Sequence, residues 1–399
     1  MMALKPLDDW AAHPDPGTFP YREIVAEFHR VGKHFVADDV LRALAGARER
    51  QARPTDLLGR FLNVALDKWD KRYDYPTYIA LDLVLPAGGI SERYDRLLAQ
   101  LVTDVLHFET ATADGHRLIL PRMRPPRKTV DKRCHHGLRV LAPVLTRLGL
   151  PVPSEGDPLD RARAAVDLVA ATMSGEDRLL MDTTVLPVDT FHDEYLFIRV
   201  LQSFEVFFAL ASARLRGTIQ ALSAEDAGGA IGSLDLVSAR FSESAPLFSM
   251  LATMQVEAFR DFRRHTEGAS AIQSPGYKTM ESLCRSPDPQ RLHSPAYLSV
   301  PAVREEVLAG RFTVDDAVVR AAGLRTLDPA DMDALAGARQ RFAAASTRWR
   351  RTHHRLAARM LGAETGSGYT AGVPYLADVL DIPVFDPLRL PGSAAAEHV

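Results

Sequence analysis

Cysteine is nearly absent from this 399-residue chain. The two present, Cys134 and Cys284, cannot build a disulfide framework, and no CxxC or CxxCH spacing occurs. A strong charge of either sign is also missing. With 48 basic and 51 acidic residues the formal net charge is −3, which leaves no electrostatic footprint for nucleic acid or an anionic membrane. Uninterrupted apolar runs are lacking too. The most apolar stretch, Tyr195 to Leu215, is broken by Arg199, Gln202 and Glu205 and reads as too polar for a membrane span. The opening MMALKPLDDWAAHPDPG has no apolar core behind a basic start, so no secretion signal is expected. No internal repeat is visible. These absences predict a reduced, cytoplasmic protein that binds neither nucleic acid nor membrane.

What is present is helical periodicity. Apolar residues recur at spacings of three and four, which predicts an all-α chain. Asp38–Arg50, Thr55–Trp69 and Glu92–Glu109 read as short helices, whereas PTYIALDLVLP (76–86) fits a strand or a helix equally well. RPPRKTVDKRCHHG (124–137) reads as an exposed basic loop, and LPVPSEGDPLD (150–160) as a linker. The linker divides the chain into a mostly helical N-terminal region, 1–155, and a second region, 156–399. In the latter, helices are predicted from a capping box at Thr190 and Asp193 to about Arg216, over Ser233–His265, and from Asp328-Pro329 to about Leu361. Long helices packed together can hold a flat cofactor in their core.

The last of these helices carries adjacent histidines. Trp349, His353, Leu356 and Met360 share one face, with Arg348, Arg351, Arg355 and Arg359 on the other. His353 therefore points inward, and His354 lies about 100° around the helix. Neighbouring helical residues cannot both reach one metal, so a zinc site made by the pair is not expected. An inward histidine is either a core residue or a ligand, and periodicity alone leaves both open. A glycine-rich segment follows, with Gly366, Ser367, Gly368 and Gly372. No strand precedes it and no GK[ST] follows, so it is not a phosphate loop.

Trp349, Arg350, His353, Arg359 and Gly362, followed by GSGYTAGVPYL, resemble the W-R-x-x-H helix and glycine loop of the tryptophan 2,3-dioxygenase family. HDEYLFIRVLQSFE (192–205) is similar to the family's H-D-E-x-L-F-I-x-x-H-Q-x-x-E. LATMQVEAFRDFR with ASAIQS (251–274) is similar to a third family segment, and the likeness runs from about Pro187 to Asp386. The resemblance implies a helical bundle enclosing heme b over 156–399, with His353 as the axial iron ligand. It implies that Arg263 grips the carboxylate of an aromatic amino acid, that Ser367 contacts the same end, and that Phe197 and Phe259 line the pocket. A single axial histidine leaves the other face of a heme open to O₂.

The departures are specific. Leu201 stands where the family has its distal histidine, and His192 lies about two and a half turns earlier. Lys278 replaces an arginine, and Ala-Ile replaces Gly-Phe in the segment before it. The expected function is thus a heme-dependent oxygenase inserting O₂-derived oxygen into L-tryptophan or a related aromatic amino acid, assembled as a homo-oligomer. A monooxygenase or hydroxylase on the same scaffold, or a non-catalytic heme-binding sensor, are the alternatives. With Leu201 in the distal place, no catalytic acid or base is assigned.

Overall fold

A computed structural model describes residues 4–51, 53, 55–85, 90, 93–115, 119–362 and 373–386. Among them the regular elements are all helical, twenty α-helices and three short 3-10 turns, with no sheet. The all-α expectation holds. The chain divides into two compact units. The first is assembled from Met1–Gly89, Asp95–Ser203 and Ser249–Ala271, and the second from Ile90–Tyr94, Phe204–Phe248 and Ile272–Val399.

In the first unit, an N-terminal cluster of Trp10, Phe19, Tyr21, Phe28 and Phe61 buries one side of four helices and receives Leu186 from a distant part of the sequence. Gly32 makes that approach possible. Its φ is +83°, and a Cβ there would lie 2.6 Å from the Asp189 Cα. The next residue donates its backbone N–H to the Pro187 carbonyl at 2.7 Å. Lys33 then buries its ammonium against Asp67 and the Val64 carbonyl, each at 2.9 Å, which compensates the charge.

The basic stretch read as a loop is helical: Arg127–Arg147 is one continuous helix. Arg133 lies fully buried in it, donating to Glu109 (2.8 Å), Asp193 (2.6 Å) and the Thr253 hydroxyl (2.9 Å). Its neighbours Lys128, Lys132 and His135 are exposed, so the segment is amphipathic once Arg133 is counted as inward. PTYIALDLVLP resolves into two single helical turns, Tyr75–Tyr78 and Leu81–Val84.

The helix expected from Thr190 begins at His192 and runs to Ser223. The capping box does not form, because the Asp193 carboxylate is taken by Arg133 and by the Gln255 N–H at 2.7 Å. That last bond also marks where the expected Ser233–His265 helix breaks, into Ala227–Leu251 and Val256–Arg263. By length and composition His192–Ser223 has the character of a membrane span, yet 83% of its most apolar window is buried inside the protein.

In the second unit the longest helix, Pro329–Leu361, starts as its sequence predicts. Asp328 accepts the Asp331 N–H at 2.8 Å, and Pro329 occupies the first helical position, where no N–H is needed. Gly362, at φ +60°, ends it.

Candidate functional site

The second unit holds the two histidines. His353 is half-buried on the Pro329–Leu361 helix, while Arg348, Arg351, Arg355 and Arg359 are exposed on the opposite side. Its ring lies 6.2 Å from Phe248 and 5.4 Å from Trp349. Burial pushes the imidazole down to about 4, with the neighbouring His354 adding to the effect, so His353 is neutral near pH 7. A neutral imidazole keeps a lone pair for a metal. Among the described residues no group of three His, Cys, Asp or Glu converges in ligating positions.

Trp349 sits at the centre of an aromatic cage. Phe204, Phe208, Phe248 and Tyr277 all lie between 5.3 and 5.6 Å from it. Its indole N–H is buried and has no acceptor among the described residues, an unmet donor that costs about 1–3 kcal/mol if left so. Arg350, next in the chain, turns the other way. It donates to the Tyr277 hydroxyl (2.8 Å), the Ile382 carbonyl (2.6 Å) and Glu281 (3.3 Å). Glu281 also meets Lys278 at 3.5 Å and Arg291 at 3.0 Å. Although burial alone would raise its carboxyl, these cations hold it far below the usual range.

The first unit gathers Phe197, Leu201 and Phe259. Phe197 lies 5.6 Å from both Phe259 and Phe262, and Leu201, 7% exposed, belongs to the same apolar cluster with Ile198, Ala258 and Phe262. Arg263 closes the Val256–Arg263 helix, half-buried, one residue beyond the fully buried Phe262. His192 is no substitute for a distal histidine. It is fully buried, stacked on Phe108 at 4.5 Å and 3.2 Å from Glu109. Against the burial that would raise it, Arg133 and His192 hold the Glu109 carboxyl down to about 2. Ser367 and the glycine loop lie outside the described residues.

Sequence reasoning missed the buried polar framework around the H-D-E segment. Glu194 accepts hydrogen bonds from the Val188 N–H (2.6 Å), the Asp189 N–H (3.1 Å) and the Tyr78 hydroxyl (3.2 Å). Arg199 reaches Asp104, Thr184 and the Met181 carbonyl. Gln202 donates to the Ile79 and Thr184 carbonyls, both at 2.8 Å. The only signal for these was the run of polar residues inside an otherwise apolar helix.

No known protein-family profile matches the chain. Individual proteins do. It is 29% identical to the tryptophan 2,3-dioxygenase of Erythrobacter litoralis over 249 residues, 54% of this chain and 94% of that protein. The tryptophan 2,3-dioxygenase of Paraburkholderia phytofirmans is 28% identical, covering 54% of this chain and 83% of its own. That of Burkholderia orbicola is 26% identical, with 67% and 98% covered. The chain is thus similar, over half of its length or more, to tryptophan 2,3-dioxygenases from several bacteria. Its all-helical fold agrees with that likeness. The matches leave a substantial part of this chain unaccounted for: each of the first two relatives covers 54% of it.

Proposed function

We propose that the protein is a heme-dependent oxygenase acting with O₂ on L-tryptophan or a related aromatic amino acid. In this reading His353 is the axial ligand, Arg263 and Ser367 hold the amino-acid end, and Phe197, Leu201 and Phe259 receive the ring. It works as a homo-oligomer in the cytoplasm. The observation that carries the reading is His353: a neutral, half-buried imidazole in aromatic surroundings, on a helix with the W-R-x-x-H frame.

The residues present fit a heme. His353 makes no hydrogen bond to a described residue, which keeps its ring nitrogens available. The orphaned Trp349 N–H is a buried donor suited to a carboxylate such as a heme propionate carries. Bound heme would supply the iron centre at which O₂ is activated.

The chain's own residues then do the binding and orienting. A guanidinium is matched to a carboxylate in bidentate geometry, so Arg263 would fix one end of the substrate and spend that binding energy on orientation of the ring. The Phe197, Leu201 and Phe259 surface excludes water and offers flat apolar area. None of these three side chains can take or give a proton, and His192 is committed to Glu109. The protein thus contributes no general base at the Leu201 position.

The test is the absorption spectrum of the purified protein. One heme per chain is expected, with a Soret band abolished in His353→Ala and retained in His354→Ala. Equal loss in both variants, or a colourless wild type reconstituted with hemin, overturns the reading. Mass spectrometry of the product formed under labelled O₂ separates insertion of one oxygen atom from two.

A further inference from the structure

We propose that Lys68 is a positioning residue for Arg263, so that the N-terminal region sets the substrate clamp. This deepens the functional reading above and rests on it. The Lys68 ammonium donates to the His265 backbone carbonyl and to the Glu267 carboxylate, both at 2.7 Å, across 197 and 199 residues of sequence. Its side chain is 13% exposed, and the ammonium lies 4.2 Å from the Tyr73 ring centroid, so stem and head are both committed.

What Lys68 holds is the turn that directly follows the clamp. The Arg263 carbonyl accepts the Thr266 N–H (3.1 Å) and hydroxyl (2.8 Å), and the His265 N–H donates to the Phe262 carbonyl at 2.9 Å. The Ala269 N–H closes the turn on the Thr266 carbonyl at 2.7 Å. Glu267 has φ +46° and Gly268 φ +90°. A left-handed glutamate is a conformation that an L residue does not choose by itself. Lys68 grips the residues on either side of Thr266, and so fixes the turn whose other end is Arg263. His34 adds to the grip, 3.6 Å from the Glu267 carboxylate with its ring 4.6 Å from that of His265. On the opposite side Phe262, fully buried, seats the helix in the apolar cluster. The rotation of the Val256–Arg263 helix is thereby set from within by Phe262 and from outside by Lys68.

A guanidinium that recognises a carboxylate in two-point geometry loses affinity when its backbone is free to turn. The consequence is selective. Ligands bearing a carboxylate depend on Lys68, and ligands lacking one do not.

The experiment titrates full-length, heme-loaded protein with L-tryptophan and with tryptamine, following the heme spectrum, and records the melting temperature of each variant. Lys68→Met should weaken L-tryptophan about tenfold or more and leave tryptamine unchanged. Lys68→Arg, which keeps two donors, should restore most of the loss. In turnover Lys68→Met should raise KM with kcat little altered. Glu267→Gln removes the charge from one of the two anchors at a half-exposed side chain, a position where substitution is expected to cost little stability. It should shift L-tryptophan in the same direction by a smaller factor. Arg263→Leu is the control for the underlying reading. If it leaves L-tryptophan unaffected, the clamp assignment falls and the positioning role with it. If it weakens L-tryptophan while Lys68→Met and Glu267→Gln do not, the positioning role alone is overturned. Equal weakening of both ligands by Lys68→Met also overturns it, since that is the mark of general damage.

Discussion

Leu201 is the residue where this chain departs most sharply from its relatives' motif. It lies in an apolar cluster with Ile198, Ala258 and Phe262. On the proposed function, an indole N–H placed against it finds no acceptor, and a buried unpaired donor costs about 1–3 kcal/mol. Tryptophan methylated at the indole nitrogen is therefore expected to bind at least as well as tryptophan. Leu201→His should reverse that order by restoring an acceptor, at some cost in packing. Competition binding of the two ligands to both proteins decides the point. An unchanged preference would mean that this side chain does not face the substrate.

At the scale of elements, the Arg127–Arg147 helix is tied to two others by one side chain. Arg133 serves Glu109 and Asp193 at once, with all three fully buried. Arg133→Met would leave two carboxylates without their cation, and breaking a buried pair in this way costs about 3–5 kcal/mol. Urea unfolding measures it, and a loss under about 1 kcal/mol, the value of a surface pair, would contradict the assignment. The same residue explains what could and could not be read beforehand. The start of the Pro329–Leu361 helix was legible because Asp328 and Pro329 act within their own turn, and the inward face of His353 because its companions lie three and four residues away. Arg133 was not legible, since its partners stand 24 and 60 residues off and a basic residue by itself reads as solvated. The break before Val256 was hidden for the same reason, the N–H of Gln255 being satisfied by Asp193. Phe197, Leu201 and Phe259 were placed by likeness to known motifs, and the structure gathers them in one apolar cluster.

For the molecule as a whole, the response to pH should carry the signature of Glu194. Burial pushes its carboxyl up from 4.5 to about 8, against the three donors that favour the ion. The folded state then keeps a proton that the unfolded chain has lost between those two values. Stability from this group is complete below pH 4.5 and declines as pH rises through 8. Glu194→Gln lacks the proton, so the stability difference between wild type and variant should fall across this window by on the order of 2–4 kcal/mol. Parallel curves in chemical denaturation would show that the carboxylate stays ionised. The two cysteines bear on the whole molecule in another way. Cys134 belongs to the first compact unit and Cys284 to the second, and both are shut off from solvent. Burial raises the Cys134 thiol to about 12 and the Cys284 thiol further still, so neither offers a thiolate to an alkylating reagent in the native state. Each unit therefore carries its own built-in clock. Under a brief pulse of iodoacetamide, peptide mapping would time the opening of the two units separately, with no engineered reporter and no residue substituted.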